Sequence, residues 1–387
     1  GGFDAVIGNP PWGQKAVANE REIKQYLWRR YPSTKGIYDL FRPFVEKGIE
    51  LTRPGGFFGM VLPDIVLLKD YIETRKLLLQ RLALRAIDWW GLAFADAVID
   101  AGTIVGVKAP ARDGHVVQIA IHDPDAPLVQ EMRQGDFWTN PRLTFNLRLT
   151  PEKRAVLRRL ENCPRLGDYF EVHEGVHSGN IRDELFLNRR QDDSCMPLLF
   201  GRDEIHPYHL QWNGKYIRLD AVPGRKTKER YANAGQPEWH AQDKILVRRT
   251  GDHVLAALDC EKRYASNNFF LVFPKRGCEL SLHGLCALLN SAFMTWYFRT
   301  IEPRRGRVFA ELKIKHLAAF PLPAAIRQSG GCSALNRRGE GRSVLASQLV
   351  AATVPAAQAR LQRAVRKADA VIQKTIAGLF GLSDEHM

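Results

Sequence analysis

Near the start of the chain, four consecutive residues have the types needed to hold an amino group: Asn9, Pro10, Pro11 and Trp12. The Asn9 side-chain oxygen and the Pro10 main-chain carbonyl are two hydrogen-bond acceptors on neighbouring residues. Because each proline fixes its own φ, the acceptors are placed in advance of any ligand. Trp12 adds a flat face on which a base can stack, an interaction of about 1–3 kcal/mol.

The chemistry that suits such a loop is the activation of an exocyclic amine, such as that of adenine. This nitrogen is a poor nucleophile, because its lone pair is delocalised into the ring. Two acceptors that take both amine hydrogens pull the nitrogen toward tetrahedral geometry and aim its lone pair at a methyl donor. Since a base inside a duplex cannot reach the loop, it must first flip out of the stack.

The elements around the loop are those of an open α/β sheet. The apolar run at residues 3–8 predicts a buried parallel strand, and the loop follows at its carboxyl end, where ligands of such sheets bind. Apolar residues at helical spacing predict a helix over Tyr38–Leu51, which Pro54-Gly55-Gly56 stops. A second buried strand is predicted at residues 57–62.

The same alternation continues downstream. The sequence predicts a helix over residues 71–84, a strand at 86–89 and two more strands at 103–108 and 116–121. Arg112-Asp113-Gly114 is typical of a hairpin turn, so the last two strands are expected to pair with each other. This order is that of the closing half of a doubly wound α/β sheet.

Composition divides the chain into three predicted parts. Residues 1–150 form the α/β domain and end in a turn-rich stretch. Residues 151–327 contain short strands and turns, with aromatic residues interleaved with Arg and Lys, which predicts an α+β domain. Residues 328–387 are expected to be a loop-like linker as far as Arg342, followed by one amphipathic helix that ends at Gly381.

Charge and cysteine usage narrow the class of protein. The net charge of +14 over 387 residues favours a polyanionic partner, most often nucleic acid. No apolar run reaches the roughly 18 residues that a membrane helix needs, and no secretory pattern opens the sequence. Six cysteines without a Cys-x-x-Cys pair argue against a zinc ribbon or a disulfide scaffold. We therefore expect a cytoplasmic protein with no membrane association.

Basic residues form clusters within residues 151–327. Their expected role is contact with DNA phosphates, with some arginines reading guanine edges in the major groove. A solvated surface is the alternative for any one cluster. The candidate DNA-binding residues are Arg225, Lys226, Lys228, Arg248, Arg249, Arg304, Arg305 and Arg307.

Two further patterns suggest other chemistry and are weaker. The run from His173 to His177 has the His-Glu-x-x-His spacing of a zinc protease, which requires a helix. Gly175 inside the pattern and the β-like residues before it favour a strand and a turn, so no metal site is expected. Glu22-Ile23-Lys24 has a nuclease-like spacing but no suitable Pro-Asp upstream, and it suits a solvated helical face.

The segment from Phe3 to Trp12 resembles motif IV of the gamma-class N6-adenine DNA methyltransferases, especially the Eco57I/TaqI-like type of type II and IIG restriction-modification enzymes. Tyr38-Asp39-Leu40-Phe41 with Phe44 resembles motif V, and Pro54 to Pro63 resembles motif VI. Phe94-Ala95-Asp96-Ala97 with the following strand resembles motif VIII. Segments similar to the TaqI-like target-recognition domain follow in order: Gly175–Asn180, Gly201–Asp203, Lys244–Arg248, Leu288–Ser291 and Phe320–Pro323.

This resemblance implies a bacterial, adenine-specific DNA methyltransferase that uses S-adenosylmethionine, acts on double-stranded DNA and serves restriction-modification or phage defence. The implied fold is a partial class-I methyltransferase sheet, a TaqI-like α+β target-recognition domain and a C-terminal helix. The implied catalytic residues are Asn9, Pro10, Pro11 and Trp12. Trp12 and Phe94 would stack on the flipped adenine, and Asp39 and Phe41 would contact the donor.

The sequence departs from the family at one point. Motif I, a glycine-containing turn that holds S-adenosylmethionine, belongs upstream of motif IV, and only eight residues precede Asn9. We therefore expect an N-terminally truncated chain, for which an upstream polypeptide would supply the rest of the donor site. Two alternatives stay open: a catalytically silent DNA-recognition subunit, and methylation of RNA or protein glutamine. The basic second domain favours DNA.

Overall fold

The computed structural model describes residues 1–13, 20–35, 39–93, 99–124, 126–225, 227–251, 253–302 and 311–382. The chain folds into two compact units, Gly1–Leu149 and Thr150–Met387. No helix in these described ranges is both long and apolar enough to cross a membrane.

The first unit is a mixed α/β structure. Its elements are β1 (Phe3–Gly8), α1 (Arg21–Arg30), α2 (Phe41–Leu51), β2 (Thr52–Pro63), α3 (Ile65–Leu68), α4 (Ile72–Arg81), β3 (Ala83–Gly91), β4 (Ala101–Val107), β5 (Val116–Ile121), β6 (Leu128–Arg133) and α5 (Asp136–Thr139). The apolar faces of α2 and α4 pack with the central strands into one core. The helices and strands predicted from the sequence are therefore confirmed in kind and order, except that β1, predicted as a buried strand, is exposed along most of its length.

The six strands form one sheet in the order β1-β2-β4-β3-β5-β6. β1 is parallel to β2, and β3 is parallel to β5. The reversed strand β4 is antiparallel to both of its neighbours, β2 and β3. The partial class-I sheet predicted from the sequence is thus confirmed, with the loop of interest at the carboxyl end of β1.

The predicted hairpin between β4 and β5 is wrong. The turn itself forms, since the His115 amide donates to the Arg112 carbonyl and Gly114 has a φ of 74°. However, β3 lies between the two strands. β4 therefore has a central place in the sheet, with one face buried and the other half-buried. Gly102 supports that place, because a Cβ there would lie 3.1 Å from the Asp88 carbonyl of β3.

A fully buried arginine holds the loop that leads into α2. The Arg42 guanidinium donates to the carbonyls of Ser33, Thr34 (3.0 Å) and Lys35 (3.2 Å), and to the Thr74 hydroxyl of α4 (2.8 Å). Burial lowers the pKa of Arg42 to about 10. A buried cation is tolerated when its donors are all used, so Arg42 fastens this loop to the core.

Arg75 fastens a second loop in the same way. Its guanidinium donates to the carbonyls of Val66 (2.6 Å), Arg142 (3.0 Å) and Leu143 (2.8 Å). Arg142 and Leu143 have φ values of 58° and 54°, which residues other than glycine rarely adopt. The hydrogen bonds from Arg75 offset the cost of this conformation.

The second unit contains helices around short sheets. Its elements are α6 (Pro151–Leu160), α7 (Leu166–Tyr169), β7 (Phe170–Glu174), α8 (Arg182–Leu185), β8 (Phe186–Leu187), β9 (Cys195–Leu199), β10 (Ile205–His206), β11 (His209–Leu210), β12 (Tyr216–Arg218), α9 (Pro237–His240), β13 (Lys244–Arg248), β14 (Ala256–Asp259), β15 (Tyr264–Ala265), β16 (Phe269–Pro274), α10 (Leu282–Leu289), α11 (Ala292–Ile301), α12 (Ile314–Ala318), α13 (Ser333–Ala351) and α14 (Pro355–Phe380).

One sheet of the second unit has the order β14-β13-β16-β7, and a smaller sheet has the order β15-β9-β12-β8. The larger sheet packs against α10, α11 and α14 in the main core of the unit. Within it, the Lys244 ammonium donates to Asp259 (2.7 Å), and Arg263 donates to the other oxygen of that carboxylate (3.0 Å). The predicted α+β character of this region is confirmed.

The linker predicted between residues 328 and 342 is wrong over most of its length. From Ser333 onward the chain is helical and forms α13, so two helices close the unit. Gly339 lowers helix propensity, but it lets α13 approach α10, since a Cβ there would overlap the His283 carbonyl. Tertiary packing therefore outweighs local preference. The predicted end of α14 at Gly381, with a φ of 62°, is confirmed.

The loop before α2 provides a first test. Replacing Arg42 with Met should lower the free energy of unfolding by about 3 kcal/mol, because buried carbonyls lose a charged donor. Urea unfolding measures this. R30Q is the control, since the Arg30–Glu50 ion pair is exposed and its loss should leave the midpoint unchanged. Equal midpoints for R42M and R30Q would refute the role of Arg42.

Candidate functional site

The predicted catalytic loop leaves the sheet at the carboxyl end of β1. Asn9 and Pro11 are exposed, Pro10 is buried, and Trp12 is half-buried with its ring packed against the core of the first unit. The exposed Asn9 and the buried Pro10 are thus adjacent at the carboxyl end of β1.

A buried carboxylate holds the far end of this loop. The Gly13 amide donates to Asp39 Oδ1 at 2.8 Å, and the Tyr71 hydroxyl donates to Asp39 Oδ2 at 3.1 Å. The Leu40 amide donates to the Gly13 carbonyl at 3.2 Å. Asp39 is only 3% exposed, so the hydrogen bonds to both of its oxygens lie in a low-dielectric interior, which strengthens them. The loop is therefore fixed at both ends, by β1 and by Asp39.

The residues predicted to contact the methyl donor are both buried. Phe41 is fully enclosed in the core and meets the Tyr71 ring edge to face at 5.3 Å. The Arg42 guanidinium lies over the same ring, 5.1 Å from its centroid. Phe41 and Arg42 thus hold Tyr71, and Tyr71 holds Asp39. Donor contact by Asp39 and Phe41 stays a prediction.

Phe94, predicted to stack on the opposite face of the base, lies outside the described residues. Nearby, at the end of β3, the Trp90 ring stacks on His122 with centroids 3.8 Å apart. The Trp90 indole donates to Thr103 at 2.8 Å, and His122 Nε2 lies 3.2 Å from Asp88 Oδ1. The Trp90–His122 pair lies at the carboxyl end of β3, on the same side of the sheet as the loop after β1. In the sequence, only the two tryptophans at the end of the predicted strand indicated an aromatic cluster there.

The outer edge of β1 is open. Among the described residues no strand pairs with the side of β1 that faces away from β2. Its apolar side chains are exposed, Ile7 by 85% and Phe3 by 61%. An edge strand with apolar residues is normally covered. This edge of β1 is therefore a surface on which a further strand can pair.

In the second unit, the predicted DNA-binding residues differ in their surroundings. Arg225 and Lys228 are exposed, and Arg248 Nη2 lies 3.5 Å from His253 Nε2. Arg249 is held between Glu174 (2.7 Å) and Glu311 (2.8 Å), which offset its charge. Four candidates lie outside the described residues: Lys226, Arg304, Arg305 and Arg307.

The strand and turn predicted for the His-Glu-x-x-His pattern are confirmed. His173 is in β7 and stacks on Trp239, with ring centroids 3.8 Å apart. Gly175 follows the strand where a Cβ would overlap the Ser266 carbonyl, so the backbone passes too closely for any side chain. Across the described residues, no cluster of three or more metal-binding side chains occurs.

The positive charge belongs almost entirely to the second unit. Residues 1–149 contain 19 basic and 17 acidic side chains, whereas residues 150–387 contain 37 and 25. The unit with the α+β fold therefore carries +12 of the net +14. This distribution is that of a polyanion-binding unit joined to a nearly neutral one.

Comparison with known proteins gives two family matches. Residues 1–91 match the Eco57I restriction-modification methylase family, and residues 196–322 match the TaqI-like C-terminal specificity domain. The type II methyltransferase M.TthHB8I of Thermus thermophilus is 25% identical over 314 residues, covering 77% of this chain and 68% of its own length. M.PaeR7I of Pseudomonas aeruginosa is 21% identical over 384 residues, covering 84% and 65%.

A solved structure shares the fold. The Type IIL restriction-modification enzyme MmeI, in complex with DNA, superposes with a TM-score of 0.58 at 11% identity, covering 98% of this chain and 54% of its own. Two segments of the chain, residues 1–91 and 196–322, thus match the Eco57I/TaqI-like type that the motifs predicted, and the likeness to MmeI shows a shared fold. The chain spans about half to two thirds of the length of the relatives named above.

The anchoring of the loop can be measured directly. D39A should speed hydrogen exchange at the Gly13 amide roughly ten- to hundredfold, because a bond to a buried carboxylate contributes about 1.5–3 kcal/mol. Y71F is the matched control, since it removes the hydrogen bond to Oδ2 but leaves the bond from Gly13 to Oδ1. Unchanged exchange in D39A would show that the loop is held by other means.

Proposed function

We propose that this chain carries the base-binding and DNA-reading parts of an adenine-N6 DNA methyltransferase, which transfers a methyl group from S-adenosylmethionine to a flipped adenine. It would act on double-stranded DNA in the cytoplasm, within a restriction-modification or phage-defence system. The observation that supports this most is the exposed Asn9 and buried Pro10 on a loop fixed by β1 and Asp39.

In this proposal the loop acts on the amine alone. Asn9 Oδ1 and the Pro10 carbonyl accept the two N6 hydrogens, which turns the nitrogen lone pair away from the ring plane. Because the loop is already fixed by Asp39, little reorganisation accompanies the reaction. Trp12 and Phe94 would stack on the extruded base and offset part of the cost of flipping.

The described residues do not form a complete donor site. Asp39 already accepts hydrogen bonds from Gly13 and Tyr71, and Phe41 is enclosed in the core. No Gly-x-Gly turn follows a strand in this sequence, and such a turn is the usual cradle for a nucleotide-like ligand.

Residues 151–327 would read the DNA sequence. The exposed Arg225 and Lys228 are proposed phosphate contacts, together with Lys226 and the Arg304–Arg307 cluster. Arg248 and Arg249 could turn toward DNA only by giving up their present contacts, which for Arg249 are two carboxylates. They are the weaker members of the proposed set.

Substitution of the acceptor tests the proposed reaction. In an enzyme with a complete donor site, N9A should reduce adenine methylation by roughly 100- to 1000-fold, because one pre-placed hydrogen-bond partner is lost. The affinity for duplex DNA should stay within about threefold of wild type, since Asn9 holds the base and not the backbone. Q25A, at an exposed position on α1, is the control. Wild-type methylation by N9A would overturn the assignment.

A second candidate is a catalytically silent recognition subunit whose partner polypeptide completes the sheet. The open edge of β1, with Ile7 85% exposed, favours it. Calorimetry should then show no S-adenosylmethionine binding to this chain alone, and binding once a polypeptide with a glycine-rich strand–turn–helix is co-expressed. I7K should abolish that rescue while leaving DNA binding intact, because a charge blocks the edge. Donor binding by the isolated chain would refute this candidate.

A further inference from the structure

The last helix carries a row of positive charge that the proposed function does not use. α14 contains five basic residues and one acidic residue, Asp369. Asp369 accepts a hydrogen bond from Arg342 of α13 at 2.7 Å, so it is neutralised within the helix pair. The basic residues of α14 are Arg360, Arg363, Arg366, Lys367 and Lys374.

Four of these residues share one face. At 3.6 residues per turn, Arg360, Arg363, Lys367 and Lys374 lie within about 60° of one another, and all four are exposed. The opposite face holds Ile372, which is buried in the main core of the second unit. From the first to the last of the four, the helix rises about 21 Å. We call this set the basic face of α14.

The charge on the basic face is not compensated. In the described part of the chain, none of its four residues has a carboxylate within ion-pair distance. Some exposed arginines of the unit are paired instead, as Arg230 is with Glu184 at 2.6 Å and Arg218 is with Asp220 at 2.8 Å. The basic face differs from those positions in that its four charges lie together on one helix.

The basic face is held in a fixed position. Arg342 anchors α13 to α14 through Asp369, and its guanidinium also lies 4.4 Å from the centroid of the Tyr208 ring. Ile372 and Ile376 insert into the core from α14. A rigid helix that presents its cations in advance loses less conformational entropy on binding than a flexible tail would.

We propose that the basic face of α14 binds the phosphate backbone of duplex DNA, outside the sequence that the sheets read. The inference rests on the proposed function insofar as DNA is the substrate. Cations spaced over about four helical turns suit a linear polyanion with a charge about every 1.7 Å. Because phosphates carry no sequence information, this contact raises affinity for all sequences equally.

The test is the salt dependence of DNA binding by the full chain. A variant with R360Q, R363Q, K367Q and K374Q removes the four charges while keeping polar side chains of similar helix propensity, and circular dichroism checks its fold. Fluorescence anisotropy with a duplex of arbitrary sequence, at about 50 to 200 mM salt, gives the affinity. We expect at least a roughly tenfold loss at low salt and a log–log salt slope shallower by about 3.

The control is a variant with R21Q, R29Q, K76Q and R81Q, which removes the same number of exposed charges from the first unit. It should bind duplex DNA as the wild type does. Equal losses in both variants, or a larger loss for single-stranded RNA than for duplex DNA, would overturn the inference.

The two levels of the proposal fail separately. If the wild-type chain does not bind duplex DNA at all, the proposed function fails and this inference fails with it. If the wild type binds and the α14 variant matches it in affinity and salt slope, only the role of the basic face is refuted.

Discussion

The site depends on one buried carboxylate. Asp39 joins the end of the catalytic loop, through Gly13, to the hydroxyl of Tyr71 in the core. Two prolines make the loop stiff, because they fix two φ angles. They do not determine how the loop is oriented relative to the sheet. The carboxylate supplies that direction from a position 26 residues away in sequence. A residue predicted to contact the methyl donor therefore holds the far end of the loop that carries Asn9 and Pro10.

Buried cations serve the same purpose elsewhere in the first unit. The guanidinium groups of Arg42 and Arg75 each donate hydrogen bonds to main-chain carbonyls of irregular segments. Such segments have no ladder to satisfy their polar groups, so a side chain must do so when they are buried. The cost of desolvating each cation is offset by several hydrogen bonds at once. The irregular segments beside the sheet are thus held in place by side-chain hydrogen bonds and not by regular secondary structure.

Much of the fold follows from local pattern. The strands, the helices α2 and α4 and the position of the loop after β1 could be predicted because apolar period and proline placement act over a few residues. Three features could not be predicted from the local pattern. β3 lies between β4 and β5, the segment from Ser333 is a helix that packs closely on α10 at Gly339, and Arg249 is paired with carboxylates 62 and 75 residues away. Each depends on contacts that the linear pattern does not encode.

The exposed edge of β1 also bears on how such a chain behaves during biosynthesis. Unpaired main-chain groups beside exposed Ile7 and Phe3 form a template on which any extended segment can add a strand, including the β1 of another copy. Self-association through that template rises with concentration, whereas capture by a tethered or co-translated strand does not. Among the described residues, Phe3 and Ile7 are therefore the positions at which a covering strand would suppress self-association.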